Sequence, residues 1–251
     1  MNIRTRATLN VQLGTLHACA APLIAKLRAH MAIEAQPPWY RFANADDTDR
    51  AKLYIYAPIS DWDLTAEAFA RELDAVTAPA IDLHINSPGG LVFDAVAIYS
   101  ALQDHPATVD VSIDGLAASA ASFVAMAGDT IAIQKPAKMF IHDALGLCWG
   151  NPADMLMMHN LLDELSDTIA QIYADRSGTS AEDWRTAMRA NGNVGTWYGA
   201  REAVDAGLAD RVAGDKEDTP KKGDDKDDAP EDRRSQLIRI RARARGTLGG
   251  V

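Results

Sequence analysis

A chain of 251 residues in which 47% of side chains are hydrophobic and 24% charged can bury one substantial core, and its composition excludes collagenous, wholly disordered and membrane-embedded classes. The formal net charge of −10 leaves no surplus of Lys and Arg to neutralise phosphates, which argues against a nucleic-acid partner and favours solubility. Two cysteines, Cys19 and Cys148, lie far apart and in no metal-ligand spacing, so free thiols in a reducing, cytoplasmic setting are expected, with no metal and no organic cofactor.

Residues 1–50 read as an arm outside the core. Arg4 and Arg6 precede a stretch ending in Leu16-His17-Ala18-Cys19, but Gln12, Gly14, Thr15 and His17 interrupt it, so no secretory leader is expected. An amphipathic helix is expected around 22–32, and Pro37-Pro38 then forbid helix. No apolar run approaches the roughly 18 residues that a membrane span needs, so no membrane partner is expected.

From Lys52 onward, β-branched and aromatic runs alternate with helical patterns. Leu53-Tyr54-Ile55-Tyr56, Ile81-Asp82-Leu83-His84-Ile85, Val109-Asp110-Val111-Ser112-Ile113 and Ile131-Ala132-Ile133 read as strands, with helices over 64–76 and 91–102 between them. That alternation predicts an α/β fold over 51–213, a largely parallel sheet flanked by helices. A long helix is expected over 152–175, opening at Asn151-Pro152, a good cap followed by proline at the first helical position. Along it Met155, Met158, Leu162, Leu165, Ile169 and Ile172 recur at spacings of three and four. Such a stripe packs on its own sheet or forms a seam for a second subunit's matching helix.

Beyond Val212 the character changes. Residues 214–232 are acidic and rich in Pro, Lys and Asp, a composition that buries too little surface to order itself. Arg233, Arg234, Arg239, Arg241, Arg243 and Arg245, with Leu237, Ile238 and Ile240, suggest a short basic helix, either a solvated tail or a docking peptide for an acidic partner. Residues 214–251 are therefore expected to be a charged, disordered tail.

Three segments carry chemistry. In Ile85-Asn86-Ser87-Pro88-Gly89-Gly90 a buried strand ends in a glycine turn just before a helix, where backbone N–H groups can face a cleft and a developing oxyanion. Ile113-Asp114-Gly115-Leu116-Ala117-Ala118-Ser119-Ala120-Ala121-Ser122 ends a second strand with small residues around Ser119, leaving its hydroxyl accessible. A serine hydroxyl needs an adjacent base to act as a nucleophile. His142, ending Lys138-Met139-Phe140-Ile141, would meet Ser119 if their strands are neighbours. Amide donors, hydroxyl and imidazole together form the set that acyl transfer requires.

These three blocks, in this order and near this spacing, resemble the signature blocks of the Clp protease proteolytic subunit, and the similarity runs from about Lys52 to Val212, through Glu202-Ala203-Val204-Asp205-Ala206-Gly207-Leu208-Ala209-Asp210. Phe93-Asp94-Ala95-Val96-Ala97-Ile98-Tyr99, the paired Ala-Ser at Ser119 and Ser122, and Thr196-Trp197-Tyr198 are more like the head maturation proteases of tailed phages. The resemblance implies repeated β-β-α layers of the type shared with crotonases and a protruding handle helix over 152–175 through which rings pair. It implies Ser119 as nucleophile, His142 as base, the amides of Gly90 and Ala120 as the oxyanion hole, and Gly89 and Leu91 beside the substrate. It also implies a ring-shaped homo-oligomer acting on scaffold or capsid proteins inside assembling phage heads in the bacterial cytoplasm. A partner ATPase belongs to the family picture but has no mark of its own in these residues.

One departure stands out. Where the family has an acidic residue before Thr196-Trp197-Tyr198 to orient the histidine, this sequence has Gly195. Asn193 or Asn191 can take that part, or the site works as a dyad; Asp143 would point away from a continuing strand. Two rivals follow: a catalytically impaired ring that serves as scaffold or binding component, and a crotonase-fold acyl-CoA enzyme, whose oxyanion hole also uses a glycine pair.

Overall fold

The computed structural model describes residues 40–43, 49–59 and 65–215; the helix expected at 22–32 and nearly all of the tail expected from 214 lie outside the described residues. Strand β1 (Tyr40–Ala43) runs antiparallel to β2 (Arg50–Ile55), which is followed in the sheet by β3 (Ala80–Ser87), β4 (Thr108–Ala118), β5 (Thr130–Ile133) and β8 (Arg211–Val212), all parallel. Strand β6 (Lys138–Ile141) branches off, pairing parallel with the end of β4 and antiparallel with β7 (Thr196–Gly199). The largely parallel α/β sheet expected from the sequence is present, with antiparallel β1 and β7 added.

Alternation along each strand explains how the sheet is covered. In β3, Ile81, Leu83 and Ile85 are fully buried while Asp82 and His84 between them are half-buried; in β4, Val109, Val111 and Ile113 alternate likewise with Asp110 and Ser112. One face thus lies under helices α1 (Ala66–Asp74), α2 (Val92–Asp104) and α3 (Ala120–Ala125), whose Phe69, Leu73, Ile98, Leu102, Phe123 and Val124 complete the core. The other face is polar. Across it Arg50 bridges Asp82 and Asp110, Tyr54 stacks on His84 with centroids 4.8 Å apart, and Asp114 accepts from Tyr56 and Ser112 and pairs with His84.

The boundary expected at residue 50 moves. β1 belongs to the sheet, and Tyr40 is buried in the core edge-on to Phe69, centroids 5.1 Å apart. The run Asn44-Ala45-Asp46-Asp47-Thr48-Asp49 reads as a break in sequence and hid this strand.

Helix α4 (Pro152–Ser177) opens with a capping box between Asn151 and Asp154 and closes at Gly178, left-handed with φ 74, a conformation that glycine adopts at little cost. Its apolar stripe divides. Ile169 and Ile172 are buried with Tyr173 in the subunit, Met158, Leu162 and Leu165 are half-buried, and Met155 is exposed, as are Leu156, Met157 and Leu161 beside the stripe. Helix α5 (Ala181–Met188) packs on α4, with Trp184 5.4 Å from Tyr173. A short helical turn, α6 (Ala190–Asn193), and α7 (Ala200–Asp205) flank β7.

Candidate active site

Ser119 sits at the junction of β4 and α3 with φ 54 and ψ −127. Positive φ is rare for a residue with a Cβ and costs on the order of 1–3 kcal/mol, so the surroundings must hold it. They do so from both sides: the Ser119 amide donates to Phe140 O at 2.8 Å, and Ser119 O accepts from the Ser122 amide at 3.0 Å and from Ser122 Oγ at 2.5 Å. The flanking Ala117, Ala118, Ala120 and Ala121 are buried, because nothing larger fits where β4 turns into a core helix. Ser122 also shares a hydrogen bond of 2.7 Å with Tyr173 OH. Its hydroxyl is therefore tied into the core. Burial pushes the Tyr173 phenol far above its ordinary pKa despite the opposing Ser122 hydrogen bond, so it remains a neutral structural group.

Strand register brings His142 to Ser119. Ala117 faces Met139 and Ala118 faces Phe140 across the parallel β4–β6 pair, so the residues just past each strand end are neighbours. Ser119 Oγ and His142 Nε2 are 2.8 Å apart. The other ring nitrogen, Nδ1, lies 2.6 Å from the main-chain O of Asp143. A carbonyl only accepts, so Nδ1 carries the proton and Nε2 is left as the acceptor for the Ser119 hydroxyl.

The glycine turn lies against Ser119. Ile59 pairs with it, its amide donating to Gly89 O at 2.8 Å and its carbonyl accepting from the Leu91 amide at 2.9 Å. A Cβ on Gly89, at φ 90, would fall 2.6 Å from Ala118 O, 2.7 Å from the Ala120 nitrogen and 2.7 Å from Ser119 Cβ; one on Gly90, at φ 155, would fall 1.9 Å from Ile59 O. Both glycines are therefore required by contact as well as by backbone conformation. Leu91 and Phe93 follow the turn as exposed apolar side chains. Ser87, which the sequence offered only as part of a turn, is fully buried; it accepts from the Gly89 amide at 3.1 Å and donates to Ala57 O at 2.8 Å.

The expected third side chain is elsewhere. Asn193 is exposed at φ 66, and its side chain makes no hydrogen bond to His142; Asn191 donates to Gly195 O at 2.8 Å. Gly195 itself abuts His142, since a Cβ there would stand 2.3 Å from Ile141 O and 2.8 Å from His142 Cβ. The Asp143 carboxylate turns away, with Oδ2 2.9 Å from Arg189 Nε and 3.5 Å from Arg185 Nη2. Among the described residues no group of His, Cys, Asp and Glu is arranged to hold a metal ion, and no helix is long and apolar enough to cross a membrane.

A hydroxyl bonded to a correctly protonated imidazole, beside a glycine turn at the strand ends of an α/β sheet, is the constellation of a serine hydrolase. Residues 51–216 match the family described as Clp protease, and the chain belongs to that family; it is a serine-type endopeptidase, and the crotonase alternative falls away. It is 30% identical over 164 residues to an ATP-dependent Clp protease proteolytic subunit of Bacteroides fragilis, covering 64% of this chain and 77% of that protein. It is 33% identical over 135 residues to ATP-dependent Clp protease proteolytic subunit 3 of Streptomyces coelicolor, covering 53% and 60%. Subunit 2 of Cutibacterium acnes is 32% identical over 135 residues, covering 53% and 61%.

Proposed function

We propose that Ser119 is the nucleophile and His142 the general base of this endopeptidase, and that its substrates are scaffold or capsid precursors cut during phage head maturation. The observation that carries the chemistry is the 2.8 Å contact between Ser119 Oγ and His142 Nε2 with the Gly89-Gly90 turn packed on Ser119. As Oγ attacks the scissile carbonyl its proton passes to Nε2. The Gly90 and Ala120 amides take up the oxyanion, each such donor being worth about 100-fold or more in rate. His142 then gives the proton to the departing amine and activates the water that hydrolyses the acyl-enzyme. Gly89 and Leu91 lie where an extended peptide would be held.

The substrate class rests on the likeness of residues 93–99, the Ala-Ser pairs and Thr196-Trp197-Tyr198 to phage enzymes, and the assembly on family likeness: a ring-shaped homo-oligomer joined through α4 and working in the cytoplasm. Purified protein should label with a fluorophosphonate at Ser119 and cleave a capsid precursor. Ser119→Ala should do neither; labelling that persists in that variant would refute the nucleophile. A scaffold-only particle, suggested by Gly195, requires that the folded wild-type protein not label at all.

A further inference from the structure

The group that meets His142 Nδ1 is one end of the peptide unit between Asp143 and Ala144, and that unit is held at three places. Its N–H donates to Ser166 Oγ at 2.8 Å, and Ser166, almost completely buried on α4, donates in turn to Leu162 O at 2.7 Å. In a trans peptide the N–H and C=O point in opposite directions, so a fixed partner on one end aims the other. Here Ser166 grips the N–H and the C=O faces the imidazole.

The Asp143 side chain supplies the remaining holds. Arg189, at the end of α5, reaches Asp143 Oδ2 with Nε at 2.9 Å and Asp163 of α4 with Nη2 at 2.8 Å. Arg185, buried on α5, lies 3.5 Å from the same Asp143 oxygen and pairs with Asp163 at 2.6 Å and Asp167 at 3.2 Å. Asp143 Oδ1 and Arg185 Nε are buried with no hydrogen-bond partner among the described residues. The carboxylate is thus held between two guanidinium groups, those of Arg185 and Arg189.

We infer that Ser166 and Arg189 are positioning residues for catalysis: they fix the Asp143–Ala144 peptide so that its carbonyl, in place of a third side chain, orients His142. The inference rests on the assignment of Ser119 and His142 above. Misplacing a catalytic group by about 1 Å costs up to roughly 100-fold, and loss of one of several holds costs part of that. Ser166→Ala should lower kcat on the order of 10-fold and Arg189→Ala severalfold, with KM within about twofold, because neither residue lies where substrate binds. The rate of fluorophosphonate labelling should fall in step. Arg189→Lys, which keeps the charge, should recover part of the loss.

Ser180→Ala is the control for general loosening, since Ser180 caps α5 by accepting from the Asp183 amide at 3.1 Å without touching Asp143. If that variant lowers kcat as much as Arg189→Ala does, or if Ser166→Ala and Arg189→Ala label and turn over at the wild-type rate, the inference is overturned. Arg189 is half-exposed, so its variants test the idea even if Ser166→Ala does not fold. Wild-type labelling at Ser119 in the same assay separates failure of this inference from failure of the catalytic assignment.

Discussion

Gly195 limits what can stand beside His142. An acidic side chain does not fit there, because its Cβ would enter the space of Ile141 O and His142 Cβ and the backbone, at φ 121, is in a region glycine favours. Gly195→Asp is therefore expected to destabilise the fold by at least about 2 kcal/mol and to lower activity, and thermal unfolding alongside peptide cleavage would check it. A gain in kcat with unchanged melting would show that the loop yields and that a carboxylate improves the site. At this scale the meeting of Ser119, His142 and the glycine turn was legible in the amino-acid sequence, each standing where a strand pattern stops. The partner of Nδ1 was not. A backbone carbonyl leaves no residue type to notice, and the Asn193 assignment looked for a side chain where the main chain serves. Ser166 read only as one more polar position on a helix.

Among the elements, the open face of the sheet makes its own demand. Asp114 on β4 is partly buried, which opposes its ionisation, but hydrogen bonds from Ser112, Tyr56 and His84 outweigh this and hold its pKa below the ordinary carboxylate value. A depressed carboxylate adds stability above its unfolded pKa of about 4, and that stability drains away as pH falls through the folded value. Urea midpoints measured between pH 6 and pH 2 should thus fall more steeply for the wild type than for Asp114→Asn, and the two curves should converge at the acid end; parallel curves would remove Asp114 from the account. The elements themselves were largely readable, since strands β2 to β4 alternate cleanly and α4 carries its own caps. β1 escaped because a run of Asp and Asn separates it from β2, and β7 because its four residues bury no side chain fully and so show no apolar pattern. The stripe on α4 was readable as a stripe. How it is divided, with Ile169 and Ile172 inside, Met158, Leu162 and Leu165 half-buried and Met155 outside, depends on where the sheet ends.

For the molecule as a whole, the start of α4 and the preceding Leu145, Leu147 and Trp149, each more than three-quarters exposed, put several large apolar side chains in water among the described residues. On the proposed assembly these residues are covered by other subunits. The double variant Leu156→Asp with Met157→Asp should keep the far-ultraviolet dichroism of the wild type and lower the native particle mass, as read by light scattering; an unchanged mass would free this end of α4 from any part in assembly. The same helix carries Ser166 and Asp163, so what touches its outer end and what steadies His142 share one rigid rod. A main-chain acceptor has no codon of its own. No point mutation deletes the carbonyl that sets the tautomer of His142; only changes in how the loop is tied, such as proline at Ala144, can take it away.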